Sequence, residues 1–218
     1  VAVAPHFRGL GVGKTLMASF VKELKEEGFA ISSLYPSSWA FYRSCGYELA
    51  GARTIYQCDT IALPAGKKSH EIKIVTDEKR SELWELWRKQ YSSLPGTVAR
   101  FHPFFHGKNR PEAEGIEQFY SASRNGELEG FVSFRLSKGA IGIVSFCALN
   151  NDAALSLIGF LRRHAPIYGT VKWMGGLFNQ ITWNFAERNY QLTHYFEWMT
   201  RIVDVKKALQ QRGYASPL

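Results

Sequence analysis

The chain has 218 residues, a net charge of +8 and 45% hydrophobic residues, enough apolar side chain for one or two globular cores. No apolar run approaches membrane-spanning length and no signal-like segment opens the sequence, so membrane and secreted classes are not expected. The basic residues are dispersed without a nucleic-acid motif, and Cys45, Cys58 and Cys147 lack metal-ligand spacing and suit a reducing, cytoplasmic compartment.

Val1-Ala-Val-Ala-Pro5 reads as an apolar strand and its exit, running into Phe7-Arg-Gly-Leu-Gly-Val-Gly-Lys-Thr15 and then a helix. Gly9, Gly11 and Gly13 let backbone N–H groups approach a ligand, because no Cβ blocks the way. The first helical turn adds unpaired N–H groups and the positive end of its dipole. With the charges of Arg8 and Lys14, this is a site for a phosphate or pyrophosphate. Leu16, Met17, Phe20, Val21 and Leu24 form one apolar helix face, Gly28 is the stop, and Ala30-Ile-Ser-Ser-Leu-Tyr35 reads as a strand. The result is a βαβ unit with the glycine turn at its first strand's carboxyl end. Ser37 and Ser38 can cap a short helix, and strands follow around Tyr47–Thr60.

Pro64-Ala-Gly-Lys-Lys-Ser69 reads as a polar linker. A second unit then runs through a strand at His70–Val75, a helix opened by Asp77 or Ser81 with Leu83, Trp84, Leu86 and Trp87, and a loop at Leu94–Arg100. Strands at Gln118–Arg124 and Leu128–Leu136 join at Asn125-Gly126, a strong hairpin signal. Next come a strand at Ile141–Leu149, a helix over Asp152–His164 capped by Asp152, and strands at Gly169–Trp173 and Trp198–Val203. Where a glycine loop would recur, the chain reads Asn150-Asn151-Asp152, with no Gly-x-Gly and no Arg. The charge of Asp152 would repel pyrophosphate, so the second unit reads as a non-binding copy. His102 and His106 are four apart, but Pro103 interrupts any helix between them and no third ligand is near, so no metal site is expected.

Three loop types compete for the opening turn. Gly13-Lys14-Thr15 fits the end of a Walker A loop, but Arg8 stands where its first glycine belongs. Gly9 and Gly11 fit the dinucleotide fingerprint, but Lys14 takes the place of its third glycine. Arg8-Gly-Leu-Gly-Val-Gly13 matches the pattern Arg/Gln-x-x-Gly-x-Gly/Ala at every position, and so resembles the pyrophosphate loop of the GNAT N-acetyltransferases. Phe41-Tyr42 and Gly46-Tyr47 stand where that family carries its helix aromatic pair and the following Gly-Phe/Tyr.

The resemblance implies acetyl-CoA as cosubstrate, with Arg8, Gly9, Gly11, Val12, Gly13 and Lys14 around the pyrophosphate and the pantetheine arm beside Val1 and Val3. It gives Tyr42 the part of general acid, with an amine attacking the thioester directly. A phenol, of ordinary pKa about 10, stays protonated at neutral pH and can serve a thiolate of ordinary pKa about 8.5. Tyr47 and Cys45 read as packing residues. Tandem units with the second degenerate are similar to the Eis-type N-acetyltransferases. The loop at Leu94–Arg100 and the segment Met199–Leu209 resemble that family's second-domain loop and its lead into a sterol-carrier-like third domain.

The fold class expected is α/β (α+β): tandem GNAT-like folds of mixed sheets flanked by helices. Its parts are the C-terminal half of a catalytic domain at 1–63, a linker at 64–69, the degenerate copy at 70–203 and the start of the third domain at 204–218. The resemblance further implies a homo-oligomer, hexameric in some relatives, and an amine partner such as a polyamine, an aminoglycoside or a lysine side chain. A cationic amine wants nearby acid, for which Glu48 is a local candidate. The first strands of the catalytic unit and the family's terminal carboxylate have no counterpart here, so the segment reads as internal to a longer enzyme and inactive alone. Two rivals are a non-catalytic acyl-CoA-binding module and a P-loop nucleotide hydrolase.

Overall fold

The computed structural model describes residues 2–91, 116–176 and 179–212. Its regular elements, in chain order, are α1 (Val12–Glu26), β1 (Ile31–Leu34), α2 (Trp39–Ser44), β2 (Glu48–Asp59), β3 (Glu71–Ile74), α3 (Arg80–Tyr91), β4 (Gln118–Arg124), β5 (Glu127–Ser137), β6 (Ala140–Ala148), α4 (Asn151–Arg162), β7 (Thr170–Gly175), β8 (Gln191–Ile202) and α5 (Val205–Gln211). The chain gathers into two compact units, one joining residues 2–52 to 196–212 and the other spanning Arg53–Tyr195. The class is mixed α/β, with sheets flanked by helices, as expected.

In the first unit α1 buries Met17 and Val21 and leaves Leu16 and Phe20 exposed. It stops at Gly28, whose φ of +88° lets its N–H reach Lys25 O while the Phe29 N–H reaches Leu24 O. This pair of bonds satisfies the carbonyls that a helix end otherwise leaves open. β1 pairs antiparallel with the end of β8, Ile31 opposite Ile202 and Leu34 opposite Met199. The strand that completes this unit therefore comes from the far end of the chain.

The expected opening strand is not formed. Residues 2–4 have no ladder partner among the described residues and pass through a 3-10 turn at Pro5–Phe7 into the glycine loop. A strand exists by its pairing; alternating Val and Ala cannot supply a neighbour, and Pro5 withholds a donor. β8 departs the other way, beginning at Gln191 rather than Trp198. Gln191–Tyr195 is exposed, so no buried face marks it in the sequence.

In the second unit the strand order is β2-β7-β6-β5-β4-β3. Neighbours are antiparallel except β6 and β7, which run parallel and pair over Ala140–Gly142 with Thr170–Lys172. The β4–β5 hairpin turns at Asn125 and Gly126 with φ of 54° and 84°, the left-handed pair that the Asn-Gly signal requires. β5 is buried on both faces: Phe131 packs with Leu83 and Leu86 of α3, while Val132 and Phe134 pack with Leu157, Ile158 and Leu161 of α4. Each such side chain contributes about 1.5–3 kcal/mol of burial. The segment read as a linker lies against α4. A Cβ on Gly66 would stand 2.5 Å from Gly159 Cα, so two glycines let the backbones touch.

Candidate active site

The candidate site lies in the first unit, at the N-terminal end of α1. Gly9 and Gly11 hold φ of +85° and +78°, a left-handed backbone that glycine alone adopts freely. Gly11 is the N-cap of α1 and offers no side-chain bond. Among the described residues no backbone N–H from Gly9 through Lys14 donates a hydrogen bond; the helix ladder begins with Thr15 N–H on Gly11 O at 3.1 Å. A Cβ on Gly9 or Gly11 would meet nothing within 4 Å, so the loop stands open. Unbonded N–H groups at a helix's positive end, with Arg8 and Lys14 exposed beside them, suit an anion. Arg8 Nε donates to Val3 O at 3.3 Å, which leaves its terminal nitrogens for a ligand.

The other loop residues differ in role. Val12 is the exposed first residue of α1. Gly13 is half-buried, and a Cβ there would lie 3.2 Å from Phe41 Cε2 and Cζ; it is a packing glycine as well as part of the turn. Val3 is half-buried, off any strand, with its carbonyl taken by Arg8. Val1, His102, His106 and the loop at Leu94–Arg100 lie outside the described residues.

Tyr42 sits on α2, buried with Met17, Tyr47 and Met199. Its ring meets Phe41 edge-on at 5.1 Å and Tyr47 edge-on at 5.9 Å. Among the described residues nothing hydrogen-bonds its hydroxyl, whereas the Tyr47 hydroxyl is engaged with Ser32 Oγ at 2.8 Å. Ser38 caps α2 by accepting from Phe41 N–H at 3.3 Å, the role its position announced. At the other end of α2, Arg201 Nη1 donates to Cys45 O. Nothing in the sequence announces that contact, because its partners lie 156 positions apart.

Glu48 does not act as free acidity. Arg43 grips it through Nε and Nη2 at 2.7–3.0 Å, and Leu49 N–H adds a bond at 2.9 Å. These donors, Arg43 first, hold its carboxyl at about 2, so it is ionised at neutral pH and its charge is already answered. Burial pushes the Cys58 thiol up to about 12, which keeps it protonated and unreactive. Among the described residues no group of three or more His, Cys, Asp or Glu could hold a metal ion.

At the matching place in the second unit, α4 starts on Asn150, whose side chain accepts from Ala153 N–H at 2.9 Å. Asn150, not Asp152, is therefore the cap. Asp152 instead pairs with Lys67 at 2.7 Å and stands 3.6 Å from Arg124. Glu129 accepts from Asn150 Nδ2 at 2.6 Å, sits 2.8 Å from His70 Nε2 and accepts from Arg124 Nη2 at 3.0 Å. Two carboxylates of the chain itself thus occupy this helix end. Beyond the short β6–β7 ladder, Gln180 takes both backbone groups of Ala148, accepting from its N–H at 3.1 Å and donating to its carbonyl at 2.6 Å.

The bonds from Asn150, His70 and Arg124 hold the Glu129 carboxyl at about 2, against an ordinary 4.5. A depressed carboxylate stabilises the fold above its ordinary value and loses that contribution as pH falls toward the folded one. The urea midpoint is expected to drop between pH 4.5 and 2, and to drop less steeply in Glu129→Gln. Parallel slopes for the two proteins would remove Glu129 from the acid transition.

Two family models, each described as an acetyltransferase (GNAT) domain, match the chain, one over residues 1–50 and the other over 96–202. A GCN5-related N-acetyltransferase from Anabaena variabilis superposes with a TM-score of 0.89 at 27% identity, covering 100% of this chain and 57% of its own. A probable N-acyltransferase from Enterococcus faecalis gives 0.88 at 24%, covering 100% and 56%. Eis1 from Mycobacterium abscessus gives 0.75 at 18%, covering 99% and 57%. The chain spans little more than half of each. No curated protein matches it in sequence. The fold is that of the GNAT acetyltransferases, and both stretches matched by GNAT domain models lie within it.

Proposed function

We propose that the first unit is the acyl-CoA-binding half of an Eis-type N-acetyltransferase that moves acetyl from acetyl-CoA to a primary amine by direct attack. The observation that carries this reading is the run of unbonded N–H groups from Gly9 through Lys14, flanked by Arg8 and packed through Gly13 onto the helix that bears Tyr42. Acetyl-CoA bound there supplies an activated thioester carbonyl. The N–H run with Arg8 and Lys14 neutralises the diphosphate and fixes its position. Tyr42, its hydroxyl unengaged, holds the proton that the departing sulfur needs, and the amine loses its own to a base outside the site described.

The second unit, with Glu129, Asp152 and Gln180 on the matching groups, serves as a non-binding partner domain. An oligomeric assembly, a cytoplasmic location and a sterol-carrier-like domain beyond residue 203 complete the proposal. They are supported by the resemblance, and for location by three cysteines that suit a reducing compartment.

The test is CoA release by the full-length protein with acetyl-CoA and a panel of polyamine, aminoglycoside and lysyl-peptide amines. Amine-dependent release is expected. Saturable acetyl-CoA binding with no transfer to any amine would favour a ligand-binding module, and Mg²⁺-dependent ATP binding a nucleotide hydrolase.

A further inference from the structure

We propose that Phe41 is a positioning residue for Tyr42, and that position 13 is glycine so that the Phe41 ring can seat on the first turn of α1. The inference rests on the reading of Tyr42 given above.

The three glycines of the loop are not equivalent. A Cβ on Gly9 or Gly11 would meet nothing within 4 Å, so what those positions demand is a left-handed backbone. Gly13 has no such backbone demand. A Cβ there would instead fall 3.2 Å from two ring carbons of Phe41 and 3.7 Å from Val3 Cγ2. Carbon pairs are most favourable at about 3.5–4.0 Å, so the ring already occupies the space a side chain would claim.

The same ring carries the contact onward. Phe41 meets Tyr42 edge-on, Tyr42 meets Tyr47 edge-on, and all three pack in the cluster that includes Met17, one turn along α1 from Gly13. Tyr47 is itself fixed through its hydroxyl by Ser32. α2 runs only from Trp39 to Ser44, too short to hold a position on its own. Ser38 fixes its start and Arg201 its end. Phe41 fixes the side that meets α1. The turn that would hold the diphosphate and the phenol that would protonate the sulfur thus belong to one packed piece, and their separation is set by a ring lying on a Cα.

The test uses the full-length protein with 3-fluorotyrosine at position 42, read by fluorine NMR, alongside steady-state kinetics. Gly13→Val is expected to move the fluorine resonance, and adding Phe41→Leu to return it toward the wild-type position. Gly13→Ala should give a smaller shift of the same kind and serves if the valine variant does not fold. Phe41→Leu alone should lower kcat about tenfold while KM for acetyl-CoA changes by less than about twofold. An unmoved resonance in both Gly13 variants, or losses in the double variant that simply add, would overturn the proposal. Failure of the underlying reading looks different: Tyr42→Phe would keep full turnover while the resonance still shifted and returned.

Discussion

Tyr42→Phe in the full-length protein should lower turnover by about a hundredfold, the low end of what a positioned general acid contributes, while acetyl-CoA affinity and thermal midpoint stay near wild type. The substitution keeps the ring, and with it the packing against Met17, Tyr47 and Met199 and the edge-on contacts to Phe41 and Tyr47. It removes only a hydroxyl that makes no hydrogen bond among the described residues, so the fold gives up nothing. The cost falls where a proton must reach the leaving sulfur, an interaction made only in the transition state. A parallel fall in kcat and kcat/KM is the expected signature. Equal turnover would remove Tyr42 from the mechanism.

The second large effect is on binding. Gly11→Asp places a carboxylate at the N-cap of α1, amid the unbonded N–H groups and beside Arg8. Asp is among the few residues that accept a left-handed backbone and it is a good N-cap; the site has open space for a Cβ. The left-handed backbone still strains any side chain at this position, so stability should fall by about 1–2 kcal/mol, equally in Asp and Asn variants. The new carboxylate, however, takes the donors that a diphosphate would use and repels it. Loss of a charge-assisted hydrogen bond is worth about 2 kcal/mol, or roughly a thirty-fold rise in the acetyl-CoA Kd. Isothermal titration checks this, and unchanged affinity would mean that the diphosphate binds elsewhere. Gly11→Asn, with a similar shape and no charge, should lose much less.

The loop and its helix were legible in the sequence because their demands are local. Left-handed turns write glycine at Gly9 and Gly11, a helix stop writes Gly28, a hairpin writes Asn125-Gly126, and a cap writes Ser38. Contacts that join distant segments left no such mark. Gly13 reads like its neighbours until Phe41 is seen against it. Glu48 reads as free acid until Arg43 closes on it, although their five-residue spacing hinted at a pair. The opening strand failed for the converse reason: alternation shows which residues could form a strand, but pairing decides whether they do. Asp152 lost its capping role to Asn150 by a shift of two residues, an ambiguity inherent in a run of three residues that all cap well.

The first unit is assembled from two stretches of chain with the whole of the second between them. Ser33 of β1 bonds to Thr200 of β8 across 167 positions, so the ribosome must add that many residues before β1 meets its partner. At ordinary elongation speeds the wait is roughly ten to thirty seconds. Through that interval the nascent glycine loop and Tyr42 helix wait for β8, while the ladder pairs of β2 with β7, β7 with β6, and β6 through β3 all fall within Arg53–Tyr195. Of the two units, the one bearing the candidate chemistry is thus the later to close. Ligand competence becomes a late checkpoint of synthesis, and a nascent chain released before Met199 would leave β1 with an unpaired edge open to aggregation.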